Sequence, residues 1–131
     1  MQASFRQWLV GGALAVAFGT LLAQQSGLTR TMVGRADVSL PGREAVVARV
    51  EVAPGAKAGR HTHPGDEIGY VLTGPLVVEI DGKPARTLQT GEAFLIPAGT
   101  VHNAKNAGAG AAKVLATYIV EKGKPVATPV P

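Results

Sequence analysis

The sequence lacks cysteine, is poor in aromatic residues (5%) and has no run of like charge. Without cysteine it can form no disulfide bond, no thiolate metal site and no thiol-based catalytic centre. Its basic residues are scattered singly with little aromatic interleaving, so we predict no nucleic-acid partner. Helix-forming runs of Ala, Leu, Glu and Lys are missing after the first 25 residues. These absences leave a domain that an apolar core alone must hold together.

Glycine and proline, by contrast, are abundant in this chain of 131 residues, with 17 and 9 copies, and 46% of the residues are hydrophobic. They separate short apolar segments, such as residues 44–52, 67–72 and 113–120, which is typical of strands joined by turns. Asp81-Gly82 predicts a tight hairpin turn between two further strands, residues 76–80 and 85–88. We therefore predict one all-β domain, a closed or double-sheet β-barrel of about seven or eight strands.

The N-terminal segment has the pattern of a secretory signal. Arg6 precedes an uncharged apolar run from Trp8 to Ala23, and Gln24 follows. A helix that spans a membrane usually needs about 20 apolar residues, whereas this run has 16. We therefore predict that residues 1–23 are a signal peptide cleaved after Ala23, and that the protein is periplasmic or secreted. The alternative is an uncleaved anchor, which would be the only membrane contact.

The rest of the chain is divided into an N-terminal arm (24–43), a β-barrel (44–120) and a proline-rich tail (121–131). We expect the arm to be extended, with a short strand around residues 32–38. The tail has three prolines, so we expect it to cross the surface or fray. Residues 26–40 have too little apolar content to pack alone, and exposed sheet edges are often covered by another chain. We therefore expect a homodimer.

Two of the three histidines, His61 and His63, flank a single threonine. Alternate residues of a strand face the same side, so both imidazoles can point at one site. A Pro-Gly bend brings Glu67 back beside them, and His102 follows a second turn, Pro-Ala-Gly. Three imidazoles and one carboxylate suit one divalent transition metal, either Fe, Mn, Ni, Cu or Zn. The alternative is that the three histidines are unrelated to one another. The positions of the surrounding glycines and prolines would then be a coincidence.

These side chains lie in two segments that resemble the two motifs of the cupin superfamily. Residues 55–74 match G-x5-H-x-H-x3-E-x6-G, and residues 91–106 match G-x5-P-x-G-x2-H-x3-N. The matching positions are Gly55, His61, His63, Glu67, Gly74, Gly91, Pro97, Gly99, His102 and Asn106. The first segment also resembles germins. The resemblance implies a single-barrel, double-stranded β-helix of jelly-roll type, with the three histidines and Glu67 as metal ligands pointing into its mouth.

The other motif positions have structural interpretations. The four glycines suit turns that need positive φ, and Asn106 either supports the metal ligands or hydrogen-bonds a turn. Arg60, Thr62 and Tyr70 fall out of phase with the ligands and are expected to point outward. Asp66 is interpreted as a turn residue. Strand alternation directs the ligand side chains into the barrel mouth. It assigns no other acid, histidine or tyrosine to that side.

Cupins include dioxygenases, decarboxylases, isomerases and proteins that only bind small molecules, so the fold does not determine the reaction. We predict an exported, metal-dependent enzyme of dioxygenase or lyase type that acts on a small oxygenated or aromatic compound. Glu67 is the candidate proton acceptor, acting as a labile ligand. The alternative is a periplasmic binding or sensing protein without turnover. A metal carrier with no organic ligand is a third hypothesis.

Overall fold

The computed structural model describes residues 27–131, so the predicted signal peptide lies outside the described residues. This part of the chain forms ten strands. They are β1 (Leu28–Asp37), β2 (Arg43–Val52), β3 (His61–Thr62), β4 (Gly65–Thr73), β5 (Leu76–Ile80), β6 (Arg86–Leu88), β7 (Ala93–Ile96), β8 (His102–Lys105), β9 (Ala112–Glu121) and β10 (Thr128–Pro129). None of the residues from 27 onward lies in a helix long and apolar enough to cross a membrane.

The strands form two five-stranded antiparallel sheets that face each other. One has the order β1-β2-β9-β4-β7 and the other the order β10-β3-β8-β5-β6. After the β1–β2 hairpin, the chain passes from one sheet to the other at nearly every connection, and it stays in one sheet only at the β5–β6 hairpin. This is a double-stranded β-helix, or jelly roll. The predicted all-β fold is therefore confirmed.

The core lies between the sheets and follows the alternation of their strands. Val46 and Ala48 of β2 are fully buried, and they pair with Tyr118 and Ala116 of β9. A register slip of one residue would turn charged neighbours such as Glu51 toward the core, so the apolar alternation fixes the register. The same alternation buries one face of β4, and this is the face that carries Glu67.

Some elements differ from the sequence prediction. The arm's strand begins at Leu28, earlier than expected, because β1 pairs along most of its length with β2. The predicted hairpin turn is present, with the Lys83 N–H donating to the Ile80 carbonyl at 3.0 Å. However, the second hairpin strand begins only at Arg86, after Pro84, which has no N–H for a sheet. Of the two expectations for the tail, fraying is wrong: the tail crosses the barrel surface, where β10 pairs with β3 and Val126 is buried.

Candidate functional site

The structure brings the four predicted ligand residues together between the two sheets. His61 on β3 lies directly opposite His102 on β8, in one sheet. His63 follows β3, and the chain then crosses to β4 in the other sheet, where it presents Glu67. All four residues are 3–8% exposed. A carboxylate and three imidazoles therefore share one buried volume.

Two turns hold the ligand-bearing strands in place. The Gly99 N–H donates to the His63 carbonyl at 3.0 Å, and the Ala98 N–H donates to Asp66 Oδ1 at 3.0 Å. The turn before His102 is thus bonded directly to the bend before Glu67. The interpretation of Asp66 as a turn residue was wrong, because Asp66 lies on β4, where its exposed carboxylate accepts a hydrogen bond from the turn before His102.

The bend after His63 also requires glycine. A Cβ atom at Gly65 would lie 1.8 Å from the carbonyl oxygen of Ile119 on β9, far inside van der Waals contact. The start of β4 can approach β9 this closely only without a side chain. Because β4 and β9 are neighbours in one sheet, this approach sets the distance between these two strands at the start of the strand that carries Glu67.

Backbone carbonyls fix the orientation of all three imidazoles. Nδ1 of His61, His63 and His102 lies 2.7, 2.5 and 2.9 Å from the carbonyl oxygens of Gly59, Val126 and Thr100, respectively. A carbonyl oxygen only accepts, so each Nδ1 must carry the hydrogen. In neutral rings Nε2 is then unprotonated and available to a metal ion, which is the arrangement of histidine metal ligands in proteins.

Two of the free ring nitrogens lie against the carboxylate. Glu67 Oε2 lies 2.9 Å from His63 Nε2 and 3.0 Å from His102 Nε2. The His63 Nε2 atom is buried and, despite this proximity, has no aligned hydrogen-bond partner. Two acceptors that face each other need a proton or a cation between them. The ligating nitrogens of the three histidines lie within 4.8 Å of one another, so the residues fit a metal ion.

Burial and mutual charge shift the pKa values of this cluster. Burial, supported by the charges of the two neighbouring histidines, lowers the pKa of His61 to about 4. Burial alone would raise the pKa of Glu67, but the hydrogen bonds and positive charge that His102 and His63 supply when their rings are protonated outweigh it and hold that pKa at about 2. At neutral pH His61 is therefore neutral and Glu67 ionised, the protonation states that ligate metals.

A small cavity opens beside the cluster, with a volume of about 450 Å³ including its opening to solvent. Its walls are mainly apolar and include Val50, Val78 and Phe94. Sequence analysis missed two polar residues that line it, Arg30 of β1 and Tyr118 of β9. Tyr118 stands in phase with buried β9 neighbours, so strand alternation was a signal that could have found it. No signal in the sequence distinguished Arg30 from the other arm residues.

Tyr118 belongs to the wall of the site. Its ring centroid lies 4.7 Å from that of His63. Burial, together with the nearby Glu67 carboxylate, raises the pKa of the Tyr118 hydroxyl well above its ordinary value. The hydroxyl therefore keeps its proton at neutral pH and can donate a hydrogen bond to a molecule in the cavity.

The remaining predicted positions lie away from the cavity. Arg60 is exposed and pairs with Asp81 at 2.5 Å, and Tyr70 is 48% exposed, as their phase predicts. The Asn106 amide donates to the Val52 and Gly110 carbonyls at 2.8 and 2.7 Å, so Asn106 ties down a turn.

Three of the four motif glycines, Gly55, Gly91 and Gly99, have the predicted positive φ, but Gly74 does not. That prediction was wrong for a steric reason. A Cβ at Gly74 would lie 2.9 Å from the Leu88 carbonyl oxygen, so the position needs glycine for close approach.

Comparison with known proteins gives consistent matches. The family model Cupin_2, described as a cupin domain, matches residues 48–118. The rhicadhesin receptor of Pisum sativum is 34% identical over 113 residues, which cover 77% of this chain and 52% of the relative. Germin-like protein subfamily 2 member 2 of Arabidopsis thaliana is 38% identical over 77 residues, 55% of this chain and 35% of the relative. The chain thus spans about half or less of the length of these curated relatives.

Solved structures agree on the fold. Oxalate oxidase in complex with the substrate analogue glycolate is 27% identical with a TM-score of 0.64, covering 83% of this chain and 63% of that one. KdgF from Halomonas sp. is 27% identical with a TM-score of 0.61, covering 76% of this chain and 84% of that one.

Proposed function

Because the chain belongs to the cupin family, we propose that it is an exported, metal-dependent enzyme of dioxygenase or lyase type. Its substrate is a small oxygenated or aromatic compound. The observation that carries this proposal is a cluster of three oriented imidazoles, two of which contact one buried carboxylate, beside an apolar cavity. The similarity to oxalate oxidase in complex with glycolate supports a small oxygenated substrate.

The metal would be held by His61, His63, Glu67 and His102. When bound, a divalent Fe, Mn, Ni, Cu or Zn ion would supply Lewis-acid or oxygen-activating chemistry. The backbone carbonyls that hold each Nδ1 keep the rings oriented toward it. The apolar walls exclude water from the reacting atoms.

Glu67 is the proposed proton acceptor as well as a ligand. It is ionised at neutral pH because its pKa is about 2, so it is in the state that accepts a proton. A carboxylate of such low pKa is a weak base, which favours its role as ligand. Tyr118 holds its own proton, so it orients a bound molecule and does not act as a base at neutral pH.

One observation favours the second candidate function, a periplasmic protein that binds or senses a small molecule without turnover. Of the groups that line the cavity, Glu67 is the only carboxylate, and Tyr118 is not a base at neutral pH. A site with so few proton-transfer groups is well suited to holding a ligand. Binding without product formation would distinguish this function from the enzyme.

Metal analysis followed by activity assays tests the proposal. Protein purified without added chelator is analysed for metals, and then assayed for O2 uptake and product formation with catechols, flavonols and short dicarboxylates. We expect about one metal per chain, an activity lost with EDTA, and recovery on adding back one of the five ions. The matched control is Arg35→Gln, an exposed change on β1. Activity that survives verified metal removal contradicts the proposal.

Export and dimerisation are further proposals. The apolar run before Gln24 supports export, and mass spectrometry of protein from the periplasm or medium should show a chain beginning at Gln24.

β1 is an edge strand, and Val33 on it is 55% exposed, which supports a homodimer through the arm. Light scattering at micromolar concentration should give twice the chain mass, and a monomer mass contradicts this.

A further inference from the structure

Arg30 is the one residue of fixed positive charge that lines the cavity. The polar residues in the described wall are Arg30, His61, Glu67, His102 and Tyr118. Arg30 comes from β1, opposite Val50 of β2, whose side chain also lines the cavity. The guanidinium therefore belongs to the same space as the candidate ligands, although it comes from the arm and from neither motif.

Within residues 27–131, Arg30 has no carboxylate partner, although its guanidinium lies beside the Tyr118 hydroxyl. Its Nε atom is buried and has no hydrogen-bond partner, and no carboxylate within residues 27–131 forms an ion pair with it. The guanidinium carbon lies 5.9 Å from the centroid of the Tyr118 ring. This distance is at the outer limit of cation–π contact, about 6 Å. By contrast, the exposed Arg35 of the same strand pairs with Glu44 at 3.5 Å.

A buried Nε–H without an acceptor is unfavourable, since it has lost water without replacing it. Planar, paired N–H groups match the two oxygens of a carboxylate. The cavity is small and apolar, which suits a small organic molecule more than a hydrated ion. These features together describe a small organic ligand with a carboxylate at the end that faces Arg30.

We propose that Arg30 binds a carboxylate of a small organic ligand whose other end faces the three histidines and Glu67. The inference deepens the proposed function, because the ligand is the substrate of that same site. Arg30 is then a specificity residue, which selects carboxylates over neutral molecules of the same shape.

Binding of glycolate and of glycolamide, its uncharged analogue of the same size, tests the inference. Isothermal titration calorimetry compares the protein with Arg30→Gln, Arg30→Lys and the matched control Arg35→Gln, all at equal measured metal content. We expect Arg30→Gln to weaken glycolate binding by about 10- to 100-fold, the range for a hydrogen-bonded charge pair. Glycolamide affinity should stay the same. Arg30→Lys should recover part of the glycolate affinity, and Arg35→Gln should match the unaltered protein.

Equal glycolate affinity in the unaltered protein and Arg30→Gln overturns the inference. So does a parallel loss of glycolate and glycolamide affinity, because that result marks a structural role. Absence of glycolate binding to the unaltered protein, or tighter binding of inorganic phosphate than of glycolate, also overturns it. Metal content is measured separately from glycolate binding. A chain that holds no metal contradicts the proposed function. The comparison of glycolate binding on metal-free protein still decides the role of Arg30.

Discussion

Acid should destabilise the metal-free protein through His61, which the fold buries in its neutral form. Replacing it with glutamine removes the titrating group and keeps a polar side chain at the position. We expect the protein to lose stability between pH 7.5 and 4.5, and His61→Gln to lose much less over the same interval. Thr62→Val, next to it on β3, is the matched control and should lose as much as the unaltered protein.

The size of the effect follows from the pKa of His61. That pKa is 6.5 in the unfolded chain and about 4 in the folded protein. As pH falls, the unfolded chain takes up the proton first, so the stabilising contribution is complete above pH 6.5 and is lost as pH falls toward 4. One pKa unit corresponds to about 1.4 kcal/mol, so roughly 2–3 kcal/mol should be lost by pH 4.5. Glu67 adds a loss of the same sign below its ordinary pKa of 4.5.

Urea unfolding of chelator-treated protein, followed by far-UV circular dichroism at the two pH values, gives the free energy of unfolding. The decisive quantity is the pH-dependent loss in the unaltered protein minus the loss in His61→Gln. A difference of about 2–3 kcal/mol is expected. If His61→Gln lost as much stability as the unaltered protein, the burial of a neutral imidazole at this position would be refuted.

Three further outcomes are expected. Gly65→Ala should lower the free energy of unfolding by about 2 kcal/mol or more, because the new Cβ meets the backbone of β9. The control is Gly110→Ala, whose new Cβ meets nothing within 4 Å, and it should have little effect in the same urea titration. Deleting residues 125–131 removes the carbonyl that holds the His63 ring and should weaken metal binding about 10- to 100-fold in competition titrations with a chelator. Val126→Ala keeps that carbonyl, so it should lower stability but leave metal affinity nearly unchanged, and equal weakening by both changes would contradict the positioning role.

Much of the architecture could be predicted from local patterns. The segments that became β2, β4 and β9 alternate apolar with polar residues, and the turns between strands are marked by glycine and proline. The two motifs placed three histidines and Glu67 on strands that end near each other, and the structure brings all four together. These features could be predicted because they depend on strand period and turn chemistry, which are local properties of the sequence.

The rest of the site depends on tertiary contacts. Arg30 lines the cavity only because β1 pairs with β2 in one particular register, and the arm has no strong alternation that predicts this phase. Val126 holds His63 from 63 residues away, and a proline-rich tail gives no sign of such a contact. The role of Gly74 likewise comes from a neighbouring strand and not from its own turn. Long-range packing determines these features, and one sequence does not encode it in a visible pattern.

Metal content and affinity, measured on the unaltered protein and on His102→Ala, test the central claim most directly. His102 lies opposite His61, and its Nε2 contacts the carboxylate, so its loss removes one candidate ligand and, in the turn before it, only the hydrogen bond to the Thr100 carbonyl. The matched control is Tyr70→Phe on the outer face of β4. We predict about one transition metal ion per chain in the unaltered protein and in Tyr70→Phe, and an affinity lower by orders of magnitude in His102→Ala. A full metal equivalent bound by His102→Ala with unchanged affinity would contradict the account.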